Sequence, residues 1–200
     1  MKQLIVVLGL CCIFFTGCDN QPVPRPKGYN RIDIPVYKYL QGDISDFTFE
    51  YSALAKIIVK EKKPGNKEVW FDIRYPDYNA VLHCTYLAID RKSLSKVLDD
   101  NHRLVYSHVS MADAIDQKVY EDTENKVSGI LYTIEGDVAT PVQFFVTDSV
   151  ANFVRGSLYY ESVTSVDSKI ETDSVTPITE MVKKDVSHLM MTLRWEKTIE

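Results

Sequence analysis

Residues 68–75 alternate strictly. Val69, Phe71, Ile73 and Tyr75 share one face, while Glu68, Asp72 and Arg74 share the other. Period two is the signature of a half-buried strand. Residues 47–51 and 54–60 predict two earlier, weaker strands, and the charged stretch 60–67, with Pro64-Gly65 as breaker, turns the chain back. Residues 81–89 follow across Pro76-Asp77-Tyr78-Asn79 as a hairpin partner. The period then changes. Leu94, Val97, Leu98, Val105, Val109, Ala112 and Ile115 recur at helical spacing, which predicts an amphipathic helix over residues 91–117 with Asp90 as N-cap. Its length leaves room for a break at Asn101-His102. Strand pattern returns at 127–134 and passes through Glu135-Gly136-Asp137 into 138–147, where Pro141 points to an edge or a bulge. Residues 153–160 give a third strand, with Gly156 allowing close packing. After the polar stretch 161–173, Thr176-Pro177 starts a last helix, with Ile178, Met181, Val182, Val186, Leu189 and Leu193 as its buried stripe.

The order is four strands, helix, three strands, helix. Segregated runs of this kind predict an α+β fold, a mainly antiparallel sheet packed with two amphipathic helices. By layout alone it resembles the PsbP/Mog1-like sandwich. Apolar residues make up 45% of the 200 and charged residues 26%, which suits one globular domain, placed at 31–200.

The N-terminus has a different pattern. Lys2 is followed by twelve apolar positions from Leu4 to Phe15, too short for a membrane span, which needs about 20. Phe15-Thr16-Gly17-Cys18 resembles the lipobox of bacterial lipoproteins, although Phe15 stands where leucine is usual. Residues 1–17 therefore read as a lipoprotein signal peptide, and Cys18 as the site of lipid attachment. Two or more acyl chains anchor stably where one is marginal. Residues 18–30 form the lipidated cysteine and a linker in which Pro22, Pro24 and Pro26 favour a semi-rigid extended spacer. The expected location is the cell envelope, anchored to membrane lipid and facing the periplasm. Beyond Cys18 the mature chain has only Cys84, so it can form no internal disulfide, and the strand-like run around Cys84 suggests burial as a small hydrophobe.

The net charge is −5, and becomes −6 once Lys2 leaves with the signal peptide. With no basic stripe on a helix, nucleic-acid binding is set aside. Histidines 83, 102, 108 and 188 are the first places to look for chemistry. His102 and His108 lie about 120° apart on a helix, poor spacing for a metal pair, and His188 has Lys184 four residues before it. There is no Gly-x-Ser-x-Gly elbow, and Gly129, Gly136 and Gly156 build no phosphate loop. Asp113 and Asp116 read as a solvated helix face, and Asp148-Ser149 as a turn cap. No catalytic residue, metal site or cofactor is expected. Twelve tyrosines fall in the mature part, with Tyr29, Tyr37 and Tyr39 just after the linker, where an interface and ordinary packing both account for them.

Several stretches taken in order resemble one family. They are Arg25-Pro-Lys-Gly-Tyr-Asn-Arg-Ile-Asp-Ile-Pro35, Phe71-Asp-Ile-Arg-Tyr-Pro-Asp-Tyr-Asn-Ala80, Ala112-Asp-Ala-Ile115, Pro141-Val-Gln-Phe-Phe-Val-Thr-Asp-Ser149, Phe153-Val-Arg-Gly-Ser-Leu-Tyr-Tyr160 and Asp185-Val-Ser-His-Leu-Met-Met-Thr-Leu-Arg-Trp195. The set is similar to the gliding-motility-associated lipoprotein GldD family of the Bacteroidota. Val154, Ser157 and Met191 depart from its pattern, where leucine, alanine and glutamate are expected. The resemblance implies a non-catalytic accessory component of the gliding motility and type IX secretion machinery, with envelope proteins as partners. Only Cys18 carries over as a functional residue. The alternative is an envelope lipoprotein that binds glycan, peptidoglycan or peptide on aromatic platforms; it requires a concave pocket bearing several tyrosines or Trp70.

Overall fold

The computed structural model describes residues 32–44, 46–61, 68–107, 110–161 and 172–196. Contacts divide the chain into Met1–Asn30 and Arg31–Glu200, and every described residue lies in the second unit. The expectations for Cys18, Tyr29, His108, the 60–67 turn and the 161–173 stretch therefore fall wholly or mostly outside the described residues.

In chain order the elements are β1 (Tyr39–Ile44), β2 (Phe47–Ser52), β3 (Lys56–Glu61), β4 (Glu68–Tyr75), β5 (Ala80–Ala88), α1 (Arg91–Tyr106), β6 (Ala112–Asp122), β7 (Val127–Gly136), β8 (Val142–Thr147), β9 (Asn152–Tyr160), α2 (Thr172–Thr192) and β10 (Arg194–Trp195). The class is α+β, as the pattern predicted. A seven-stranded sheet runs β3-β4-β5-β9-β8-β7-β6, and a small sheet runs β1-β2-β10; every described pairing is antiparallel. The large sheet consists of two meanders joined where β5 meets β9. The connection from β5 to the far edge at β6 carries α1 across one face.

Alternation decides what each face meets. Val69, Phe71, Ile73 and Tyr75 of β4 join Leu82, Cys84 and Tyr86 of β5 in a core against α2 and the small sheet. Phe47 and Phe49 of β2 close it, with ring centroids 6.0 and 6.3 Å from Phe71. Each such side chain, fully buried, is worth about 1.5–3 kcal/mol. On the opposite face Phe145, Phe153, Tyr132 and Ile134 pack under α1 around Val105. On the α2 side Gly156 allows close packing, as expected: a Cβ there would press into the Phe144 ring and stand 3.0 Å from Cys84 Sγ.

Three expectations are corrected. The helix over 91–117 ends at Tyr106, and residues 112–122 form edge strand β6. Asp90 is the N-cap, accepting from the Ser93 amide at 2.7 Å while Ser93 Oγ accepts from the Asp90 amide at 3.1 Å. The apparent helical repeat at Ala112 and Ile115 comes from a bulge between Ala112 and Ala114. One extra residue puts positions three apart on one strand face. Gly136, at φ +118°, accommodates it; a Cβ there would meet the Met111 carbonyl at 2.7 Å. Second, β8 is interior rather than an edge, because Pro141 sits just before it and only lends its carbonyl to the Ile134 amide at 2.8 Å. Third, α2 begins at Thr172 and not at Thr176, which leaves Pro177 inside its N-terminal part. A proline costs a helix least near its start, where few intrahelical bonds are lost.

Asp185 of α2, only 3% exposed, ties the N-terminal segment to the core. It accepts hydrogen bonds from Tyr37 (2.7 Å), Tyr39 (3.1 Å) and Tyr75 (3.0 Å). Burial raises its pKa above the ordinary aspartate range, and the hydroxyls of Tyr37, Tyr75, Tyr39 and Ser52 offset only part of that. Its ionisation therefore works against folding as pH rises through and above the usual carboxylate range. His188 stacks on Tyr39, with centroids 3.6 Å apart, and meets Glu50 Oε2 at 2.7 Å. Asp185→Ala leaves the buried Tyr75 hydroxyl and two half-buried ones without their acceptor. We expect a loss of about 2–3 kcal/mol in urea unfolding, with Asp185→Asn costing less because one acceptor oxygen remains.

Candidate functional site

Helix α1 covers only part of the sheet face opposite α2. On the rest of that face Asp72, His83, Ser157 and Gln143 follow one another across β4, β5, β9 and β8, each paired in register with the next. Residues directly opposite on antiparallel strands share a face. Asp72 is 1% exposed, yet three basic side chains reach it: His83 Nδ1 at 2.7 Å, Lys60 Nζ at 2.9 Å and Arg74 Nη2 at 3.2 Å. Burial pushes its pKa upward, but the hydrogen bonds from His83 and Lys60, with their charges, outweigh this and hold it below the ordinary value of 3.8. Arg74 also bonds Glu161 at 2.7 Å, while its buried Nε has no partner.

Beside this line lies a notch between β9 and the C-terminal half of α1. It comprises two adjoining cavities that share Leu104, Ser107 and Arg155. The first, about 560 Å³, has an apolar wall of Leu87, Val97, Leu104 and Phe153, with the Asp100–Arg103 ion pair at its edge. The second, about 350 Å³, is polar and lined by His83, Thr85, Asn101, Gln143, Ser157 and Tyr159. Arg155 is half-buried and bonds no other described residue. Asn101 is 94% buried and lines the polar cavity. The notch thus combines an unneutralised cation, a polar wall and an apolar recess.

General-base catalysis needs the base within hydrogen-bond reach of the proton it takes. Ser157 stands opposite His83 in the sheet register without a hydrogen bond to it. Among the described residues no group of three His, Cys, Asp or Glu side chains could hold a metal ion.

The residues singled out from sequence scatter. His102 stacks on Tyr106 at 4.3 Å, and His188 belongs to the Tyr39 stack. Asp113 and Asp116 are exposed on β6, a strand and not the expected helix. Asp148 does cap a turn, accepting the amides of Val150, Ala151 and Asn152 at 2.8–2.9 Å, with Ser149 at φ +63°. Cys84 is buried and burial pushes its thiol pKa well up, so it is inert packing. Tyr37 and Tyr39 are committed to Asp185. Of the three described histidines only His83 reaches the notch; Arg155, Asn101 and the Asp72–His83 pair were not read from sequence.

The family model described as gliding motility lipoprotein GldD matches residues 19–195. The chain belongs to this family. The GldD match takes in β1 through β10, so the notch, the Asp72 cluster and the Asp185 tie all lie within it. Comparison with curated proteins returned no match. Among the described residues of this GldD chain no helix is long and apolar enough to cross a membrane.

Because the Asp72 carboxylate is held below its ordinary range, the stability it contributes is present above pH ~4 and is lost as pH falls through the lowered value. Its three partners are more than a third exposed, which limits the gain. Asp72→Asn is expected to lose about 1 kcal/mol at pH 7 and to flatten the acid limb of a stability-against-pH curve from denaturant titrations. An unchanged acid limb would refute the assignment.

Proposed function

We propose that the chain is a lipid-anchored envelope lipoprotein, a non-catalytic accessory component of the gliding motility and type IX secretion machinery that works by touching other proteins. In this reading the signal peptide of residues 1–17 is removed, Cys18 carries the acyl chains, and residues 18–30 hold the body off the membrane on its periplasmic side. The family match supports the motility role. The single structural observation behind protein contact is the half of the large sheet that α1 leaves open. There Trp70 is 51% exposed and Ile58, across from Asp72 on the edge strand β3, is 44% exposed. Exposed tryptophan beside a structured charge cluster is what binding hot spots are built from. The alternative of a ligand-binding lipoprotein asks for a concave pocket bearing several tyrosines or Trp70; the notch is concave but is lined by Tyr159 alone of these.

Deletion of the gene is expected to abolish gliding, or in a non-gliding host to block secretion of type IX substrates. Cys18→Ala should release the protein from the membrane fraction and fail to complement. Trp70→Ala should stay folded and membrane-bound, yet lose crosslinks to envelope partners in intact cells. Normal gliding and secretion in the deletion strain would sink the machinery role, and full crosslinking by Trp70→Ala would sink this face.

A further inference from the structure

We propose that the notch between α1 and β9 is a binding site for a peptide's free C-terminal carboxylate, with an apolar last side chain in the adjoining recess. The site borders the open face bearing Trp70, does not include Trp70, and adds a ligand to the contact role.

Arg155 sits where the two cavities meet and has no counterion among the described residues. A half-buried guanidinium is costly to leave unpaired, and its planar fork matches a carboxylate in two-pronged fashion. Acidic groups are near, but they are engaged: Asp100 with Arg103 at the rim, Asp72 with His83, Lys60 and Arg74. The incoming anion therefore meets Arg155 without competition.

On one side of Arg155 the recess walled by Leu87, Val97 and Phe153 offers an apolar side chain about 560 Å³. On the other side the lining is hydroxyl and amide, with Asn101, Gln143, Ser157 and Tyr159 around the second cavity. A wall of that kind matches a ligand that carries both donors and acceptors. A peptide backbone does so, whereas an acyl chain ending in a carboxylate satisfies Arg155 but offers nothing to the polar wall. That asymmetry favours peptide over fatty acid. The carboxylate would lie on Arg155, the last side chain in the recess, and the preceding amides along Asn101 and Ser157.

The test is fluorescence anisotropy on the full-length protein in lipid nanodiscs, using N-fluorescein tetrapeptides that end in Leu, Phe or Glu. Saturable binding of the Leu or Phe peptide is expected. It should weaken about tenfold or more when the C-terminus is amidated, when Glu replaces the last residue, and in Arg155→Gln. Leu104→Trp, at a rim residue 49% exposed, should block the notch without disturbing the core. Circular dichroism verifies that each variant is folded. The proposal is overturned by no binding of either apolar-ended peptide at millimolar concentration, or by equal binding of acid and amide. It is also overturned if folded Arg155→Gln or Leu104→Trp binds unchanged, or if dodecanoate displaces the Leu peptide as well as unlabelled peptide does. Because the Trp70 face is untouched by these variants, failure here is separable from failure of the contact role.

Discussion

One buried carboxylate joins the parts of this fold that the chain keeps far apart. Asp185 lies in the last helix, Tyr75 at the end of β4 in the large sheet, and Tyr37 and Tyr39 at the entrance to the small sheet, yet all four meet at hydrogen-bond distance. Isolating a carboxylate from water is unfavourable, and its raised pKa shows that the three phenols do not fully compensate. What the arrangement provides is position. An acceptor with several lone pairs requires each donor to arrive from its own direction, so the segment carrying Tyr37 and Tyr39 has one docking site on α2. Apolar packing of Ile32 and Ile34 supplies adhesion there without such direction.

Much of the architecture was legible because burial on one face imposes alternation. The strict pattern at 68–75 and the strands at 47–51, 81–89 and 153–160 appear where the period put them, and Asp90 caps its helix as read. The failure at 107–117 has a definite physical source. Ala112 and Ile115 share a face through a β-bulge, and a bulge imitates helical spacing over a short window. Edge strand β6 is also largely exposed, so it lacks the apolar alternation that marks the central strands. Strand β1 was missed for a related reason: half its residues face solvent and its anchor, Tyr39, bonds a residue 146 positions away.

The polar features were less legible, since their meaning depends on register. Asp72 and His83 are eleven residues apart on adjacent strands, and nothing local marks them as partners. Arg155 could have been noticed as a charge among the outward positions of a mostly buried strand. What makes it unusual, a place in a cavity wall with no counterion among the described residues, belongs to the pairing of β9 with β5 and the placement of α1. Asn101 is harder still, because a polar residue in mid-helix is ordinary until the helix is seen to turn it inward.

The division of the sheet's outer face follows from one topological choice. Strand β5 is the third of seven in the large sheet and β6 lies at its far edge, so the chain must cross the face of β9, β8 and β7 to continue. Helix α1 makes that crossing and buries Phe145 and Phe153, but a helix of sixteen residues spans only about 24 Å and leaves the first meander uncovered. On the uncovered strands the Asp72 cluster holds one carboxylate among three basic side chains, while Trp70 and Ile58 stay open to solvent. The boundary between covered and uncovered strands falls at β9, where an outward side chain has sheet on one side and helix on the other. A concave site forms at such a boundary for steric reasons alone. Arg155 and Ser157 occupy that boundary, so the same crossover that completes the sheet also creates the notch beside its open face.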